Sequence, residues 1–199
     1  MNKGNFLENS CTFSLLKPEL LKECKPFICG NDDLDDFFMN NSDLYTKQLL
    51  GKTYCFRLDE DLSVITCAFT VANDSIKANF LPNSRKKKVI QDIPFSKQRR
   101  SYPAVLIGRL GVNMNYQGCH IGNELIGFIK DWFISPENKT GCRFIVVDAY
   151  NKPSIISFYE KNNFYPLFST EQQEKEYLGI PESSSLFTRL MIFDLINIT

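Results

Sequence analysis

The apolar positions of this chain fall into runs of two kinds. From Pro103 to Val112 the run is almost unbroken, relieved only by Gly108, Arg109 and Gly111. Such a run reads as a strand buried on both faces. From Ile121 the apolar residues fall at Ile121, Leu125, Ile126, Phe128, Ile129, Trp132 and Phe133, before Pro136. That spacing predicts a helix with one buried face. Phe144 to Ala149 reads as a second buried strand, and Pro153 suits the first turn of a short helix reaching Asn162. Upstream, Thr12 to Leu16 alternates weakly. Thr53 to Leu58 and Leu62 to Ala72 are rich in β-branched and aromatic residues, with Asp59-Glu60-Asp61 as the turn between them. Asn31 can cap a helix that has Asp32, Asp33, Asp35 and Asp36 in its first turn and runs through Phe37 and Phe38 to Tyr45. Thr188 to Leu195 closes the chain as a strand. This alternation predicts an α/β or α+β domain over residues 12 to 199, after a loose leader at 1 to 11.

Composition narrows the class. A chain of 199 residues with 43% hydrophobic and 23% charged residues builds a core without metal or disulfide. Its formal net charge is zero, yet residues 75 to 101 hold Lys77, Arg85, Lys86, Lys87, Lys88, Lys97, Arg99 and Arg100 against Asp92 alone. The rest of the chain is correspondingly acidic, and this basic insertion, with Pro82 and Pro94 and weak periodicity, interrupts the strand pattern. The seven cysteines form no CxxC pair, and the N-terminus does not read as a signal peptide. We expect reduced thiols and a cytoplasmic location. With His120 the only histidine, no metal site is expected. No apolar run approaches the ~20 residues of a membrane span, so no membrane partner is expected.

Chemistry concentrates where the strand at 103–112 meets the helix from 121. The connection reads Tyr116-Gln117-Gly118-Cys119-His120-Ile121-Gly122. A strand-to-helix turn points successive N–H groups outward at a helix start, where they lack intrahelical partners and the dipole adds positive charge. It can cradle a pyrophosphate, and Gly118 and Gly122 leave room for close approach. The passage resembles the acetyl-CoA signature of the GNAT superfamily of N-acetyltransferases: Gln or Arg, two free positions, Gly, one free position, then Gly or Ala. Gln117, His120 and Gly122 occupy the spelled positions, and His120 replaces the middle glycine. Such a replacement preserves the cradle if φ there is negative. Residues 144 to 164 resemble the family's next strand and helix, with Phe158-Tyr159-Glu160-Lys161 and with Asn163 in place of a glycine that suits a left-handed cap.

The resemblance implies the GNAT fold: a central mixed, mostly antiparallel sheet flanked by helices, whose parallel fourth and fifth strands splay apart. It implies acetyl-CoA as cosubstrate, with the pantetheine arm on Leu110 and Val112. The pyrophosphate would lie on Gln117, Gly118, Cys119, His120, Ile121 and Gly122, and Asn151 would contact the cofactor. The Val112 N–H would polarise the thioester carbonyl, and Tyr159 would protonate the leaving thiolate. Asp148 and Glu160 are candidate bases by sequence proximity alone. Cys119 lacks the partners of a covalent nucleophile.

The stretch Cys29-Gly30-Asn31-Asp32-Asp33-Leu34-Asp35-Asp36-Phe37, with Tyr102-Pro103 and Gly108-Arg109-Leu110-Gly111-Val112-Asn113, is similar to toxin-type members of that superfamily. Gly111 and Asn113 stand where those have Ala and Asp. This resemblance implies transfer of acetyl to the amino group of aminoacyl-tRNA, and a ribbon-helix-helix antitoxin as partner. Homodimers are common in the family. The basic insertion then supplies phosphate contacts, or is a solvated loop. A small-molecule or protein amine acceptor, and a non-catalytic CoA-binding module, remain open as alternatives.

Overall fold

The computed structural model describes residues 5–91, 93–95 and 100–198. Asp92, Lys97 and Arg99 of the basic segment, and residues 1–4 of the expected leader, lie outside these. The described strands are β1 (Cys11–Leu15), β2 (Lys52–Leu58), β3 (Asp61–Ile76), β4 (Tyr102–Val112), β5 (Phe144–Tyr150), β6 (Tyr165–Pro166) and β7 (Thr188–Asp194). They form one mixed sheet in the order β1-β2-β3-β4-β5-β7-β6, with β4 and β5 parallel. The β1–β2, β2–β3, β5–β7 and β6–β7 pairs are antiparallel. The helices are α1 (Phe6–Ser10), α2 (Pro18–Glu23), α3 (Asp32–Asp36), α4 (Ser42–Lys47), α5 (Asn83–Ile90), α6 (Ile121–Ile134), α7 (Pro153–Lys161) and α8 (Glu171–Leu178). The chain divides into two compact units, residues 1–72 with 107–132, and residues 73–106 with 133–199.

In the first unit two layers of apolar side chains cover the β1–β3 strands. Phe27, Phe37, Phe38, Cys55, Ile65 and Ala68 form one buried cluster. Phe13 packs edge-on to Phe128 and Trp132 of α6, and Tyr54 meets Trp132 with centroids 4.8 Å apart. The helical spacing read from Ile121 is therefore realised, with Leu125, Ile126 and Ile129 buried. The helix expected from Asn31 to Tyr45 is instead interrupted. Phe37–Asn41 forms a π-turn between α3 and α4, and it places two consecutive aromatics, Phe37 and Phe38, in the core. Asp36 holds that wide turn by accepting from the side-chain amides of Asn40 and Asn41.

The expected loose leader is ordered over its described part. Residues 6–10 form α1, Leu7 is buried, its N–H donates to the Glu124 carboxylate at 3.0 Å, and Cys11 already pairs in β1. The burial of Leu7, its bond to Glu124 and the contact of Phe6 with the Tyr116 ring hold this turn, and a five-residue segment shows no period by which a sequence could announce it.

In the second unit Tyr102, Ala104, Phe144, Val146, Leu167, Phe168 and Ile192 are buried together with Ile76, Ala78, Leu81 and Val89. The last four come from the basic segment and the end of β3, which runs four residues beyond the expected Ala72. The polar stretch before the last strand contains α8 (Glu171–Leu178). Thr170 caps it by accepting from the Gln173 N–H, and Gly179 ends it at φ +68°.

Candidate active site

The strand-to-helix turn lies in the first unit. β4 ends at Val112, and Asn113 fixes the turn beyond it. The Asn113 side-chain amide donates to the buried Ile65 carbonyl at 2.9 Å, and its Oδ1 accepts from the Asn115 N–H. An aspartate could not make the first bond, which accounts for the asparagine. Gln117 then reaches back: its amide donates to Val112 O at 3.0 Å and to Cys29 O at 2.8 Å. The Met114 N–H donates to Ile28 O. The Cys29-Gly30-Asn31 passage is thus a bracket for the turn. The Cys29 N–H donates to Asp35 Oδ1 at 2.7 Å, and Asn31 caps α3 through the Leu34 N–H. Gly111 is explained the same way. A Cβ there would stand 3.2 Å from each of Cys29 Sγ, Phe27 and Phe38.

Beyond Gln117 the turn is open. Gly118 has φ +77° and His120 φ +63°. The condition set for His120, a negative φ, is therefore not met: the imidazole-bearing residue takes the left-handed conformation that suits a glycine. Histidine is among the residues that tolerate this region better than most. The His120 carbonyl starts α6 by accepting from Asn123 and Glu124. Among the described residues no hydrogen bond reaches the backbone N–H groups of Gly118, Cys119, His120, Ile121 or Gly122. Five consecutive donors at the start of a 14-residue helix make a concentrated site of positive potential. The Cys119 thiol is exposed beside them. Leu110 and Val112 are both half-buried positions on β4.

The helix α7, with Tyr159, lies in the second unit. Pro153 opens α7, and Tyr159 sits in its last turns, 8% exposed. Its ring packs edge-on to Phe158 and Phe164, with centroids 5.1 and 5.5 Å away. Burial pushes its phenol up to about 12, so it carries its proton at neutral pH. No hydrogen bond to its hydroxyl is formed among the described residues. Asn163 takes φ +63°, the conformation expected of it as a stand-in for glycine. Asn151 is occupied within this unit, its amide donating to Glu171 Oε1 at 2.9 Å and to Leu186 O at 3.0 Å. Asp148 is raised above the usual carboxylate range by desolvation and then by the charge of Asp74. Among the described residues no cluster could hold a metal ion, and no helix is long and apolar enough to cross a membrane.

The basic segment is not a solvated loop where it is described. Arg85, read from sequence as a phosphate contact, turns inward instead. Its Nε donates to Leu167 O at 2.6 Å and its guanidinium also reaches Pro166 O. Lys88 lies over the Tyr165 ring at 4.2 Å. Neither contact is visible in the sequence, because the partners lie about eighty residues away and the acceptors of Arg85 are backbone carbonyls.

No protein-family model matches the sequence, and no curated protein matches it significantly. Solved structures do match. A tyrosine-to-phenylalanine variant of KacT superposes with a TM-score of 0.69 over 96% of this chain and 98% of that one, at 16% identity. AtaT complexed with acetyl-methionyl-tRNAfMet gives 0.68 over 94% and 96%, at 17% identity. A mutant AtaT toxin bound to acetyl-CoA and to the C-terminus of the antitoxin AtaR gives 0.63 over 96% of both chains, at 16% identity. The chain therefore has the GNAT fold, in the architecture shared by AtaT and KacT.

Proposed function

We propose that the protein is an acetyl-CoA-dependent N-acetyltransferase whose acceptor is the amino group of aminoacyl-tRNA. The observation that carries this is the run of five N–H groups from Gly118 to Gly122 with no hydrogen-bond partner among the described residues, opening α6 within a fold that AtaT uses with acetyl-CoA. In this reading Gln117 and His120 shape the turn, and Gly118, Cys119, Ile121 and Gly122 lend their N–H groups to the pyrophosphate. Leu110 and Val112 hold the pantetheine arm. The Val112 N–H polarises the thioester carbonyl as the amine attacks. Tyr159, protonated at neutral pH and with no protein partner on its hydroxyl among the described residues, gives its proton to the departing thiolate. Asn151 serves as a support for the loop before α7 more than as a ligand, since its amide is engaged by two acceptors. AtaT has been captured with acetyl-methionyl-tRNAfMet and with its antitoxin. The outward lysines of the basic segment suit the phosphates of a tRNA, and we extend to this chain an antitoxin partner and a cytoplasmic location.

Thermal unfolding with and without acetyl-CoA tests the cofactor half. A ligand at ~100 times its Kd adds about 2.7 kcal/mol, which for a chain of this size raises Tm by about 5 °C or more. Tyr159→Phe is expected to keep that shift and to lose about a hundredfold in turnover. An unshifted Tm in the native protein would sink the reading.

A further inference from the structure

The basic segment has an inside and an outside, and the division points to its partner. Ala78 and Leu81, three residues apart around a 3-10 turn (Ala78–Phe80), are both buried, as is Val89 of α5, and Ile90 and Ile93 pack on the same core. Arg85 and Lys88 are the two cations of α5 tied to β6 and to Leu167. The turn leaves Phe80 70% exposed shortly before the helix. Lys77 and Lys87 are exposed and Lys86 half-exposed. No carboxylate occurs among the described residues of 75–101.

We propose that this platform binds single-stranded nucleic acid, with Phe80 as a stacking face for an unpaired base and Lys77, Lys86 and Lys87 as phosphate contacts. Lysines alone would serve any nucleic acid. An exposed aromatic ring beside them in the chain is useful only to a strand whose base faces are free, because a duplex keeps its bases stacked. A lipid surface fits less well. It would call for an apolar stripe facing outward, whereas the apolar residues of α5 turn to the core and its outer positions include Asn83, Ser84 and Lys87. The inference rests on the proposed aminoacyl-tRNA acceptor, whose amino acid sits at an unpaired end, and it names the part of that acceptor the platform holds.

Fluorescence anisotropy with a labelled single-stranded RNA of about 12 nucleotides, within the range one such groove spans, and with the same sequence as a duplex, tests it. Phe80→Ala is expected to weaken the single strand about tenfold and leave the duplex unchanged, with Phe80→Trp restoring the loss. Lys86→Ala with Lys87→Ala is expected to weaken both and to flatten the salt dependence. Unfolding curves confirm that each variant folds. Equal weakening of single strand and duplex by Phe80→Ala, or none, overturns the proposal. So does binding to phosphatidylserine vesicles without binding to RNA. Acetyl-CoA stabilisation is read separately: a protein stabilised by the cofactor but indifferent to RNA refutes the platform and leaves the cofactor site. One that binds RNA as described without the cofactor shift keeps the platform and loses the catalysis.

Discussion

At the scale of single residues, the departures from the toxin-like pattern have local causes. Gly111 is small because Cys29, Phe27 and Phe38 close on it, and Asn113 is an amide because Ile65 O needs a donor. His120 has a weaker cause, its Nδ1 meeting the Asn123 side-chain amide only at 3.5 Å. It sits at φ +63°, where an L-residue is strained and a glycine is not. His120→Gly is therefore expected to stabilise the protein by up to about 1 kcal/mol, the relief of strain being partly offset by the freer unfolded chain. Urea unfolding reads this directly. A clear loss of stability would show that the contact between the imidazole and Asn123 outweighs the strain.

At the scale of elements, α8 shows how a polar stretch is anchored. Glu174 is fully buried. Its carboxylate accepts from Arg189 Nε at 2.7 Å and from the Leu190 N–H, fastening the helix to β7. Desolvation raises its carboxyl, while the N–H donors and the Arg189 charge work the other way. Removing one partner of such a pair leaves the other buried and uncompensated. Glu174→Ala is therefore expected to cost about 3 kcal/mol and to speed hydrogen exchange across residues 171–178. Unchanged exchange there would mean that other contacts hold α8. The sequence did carry part of the signal, since Thr170, Gln173 and Gly179 stand at the cap positions of a helix. It lacked an apolar face, because the burial of α8 centres on a charge.

At the scale of the whole molecule, proton linkage offers a check on how α6 is buried. Lys130 is only 8% exposed, and desolvation lowers its ammonium from 10.5 to about 8. Between those values the unfolded chain holds a proton that the folded one has released. Unfolding then takes up a proton, and the stability due to this residue rises with pH across that window. Measured from about pH 7 to 10.5, the native protein should gain in Tm relative to Lys130→Met. A constant difference would place Lys130 in water.

Periodicity was enough to mark the strands at β4 and β5, the helix α6 and an α/β or α+β class, because burying one face of each element demands a repeat that can be counted along the chain, whereas the GNAT fold was implied only by the motif resemblance. The turn at Gln117 to Gly122 and the helix bearing Tyr159 were legible for the same reason: their geometry is local and is written in adjacent residues. The tertiary structure alone decided the rest. It set the sign of φ at His120 and bracketed the turn with Cys29. It also turned Arg85 away from solvent, buried Glu174 and settled Leu7 of the supposed leader into the core. In most of these the partner is a backbone carbonyl, a carboxylate or a cavity supplied by residues far along the chain. No pattern within a segment can encode a contact whose other half is set by how distant segments pack.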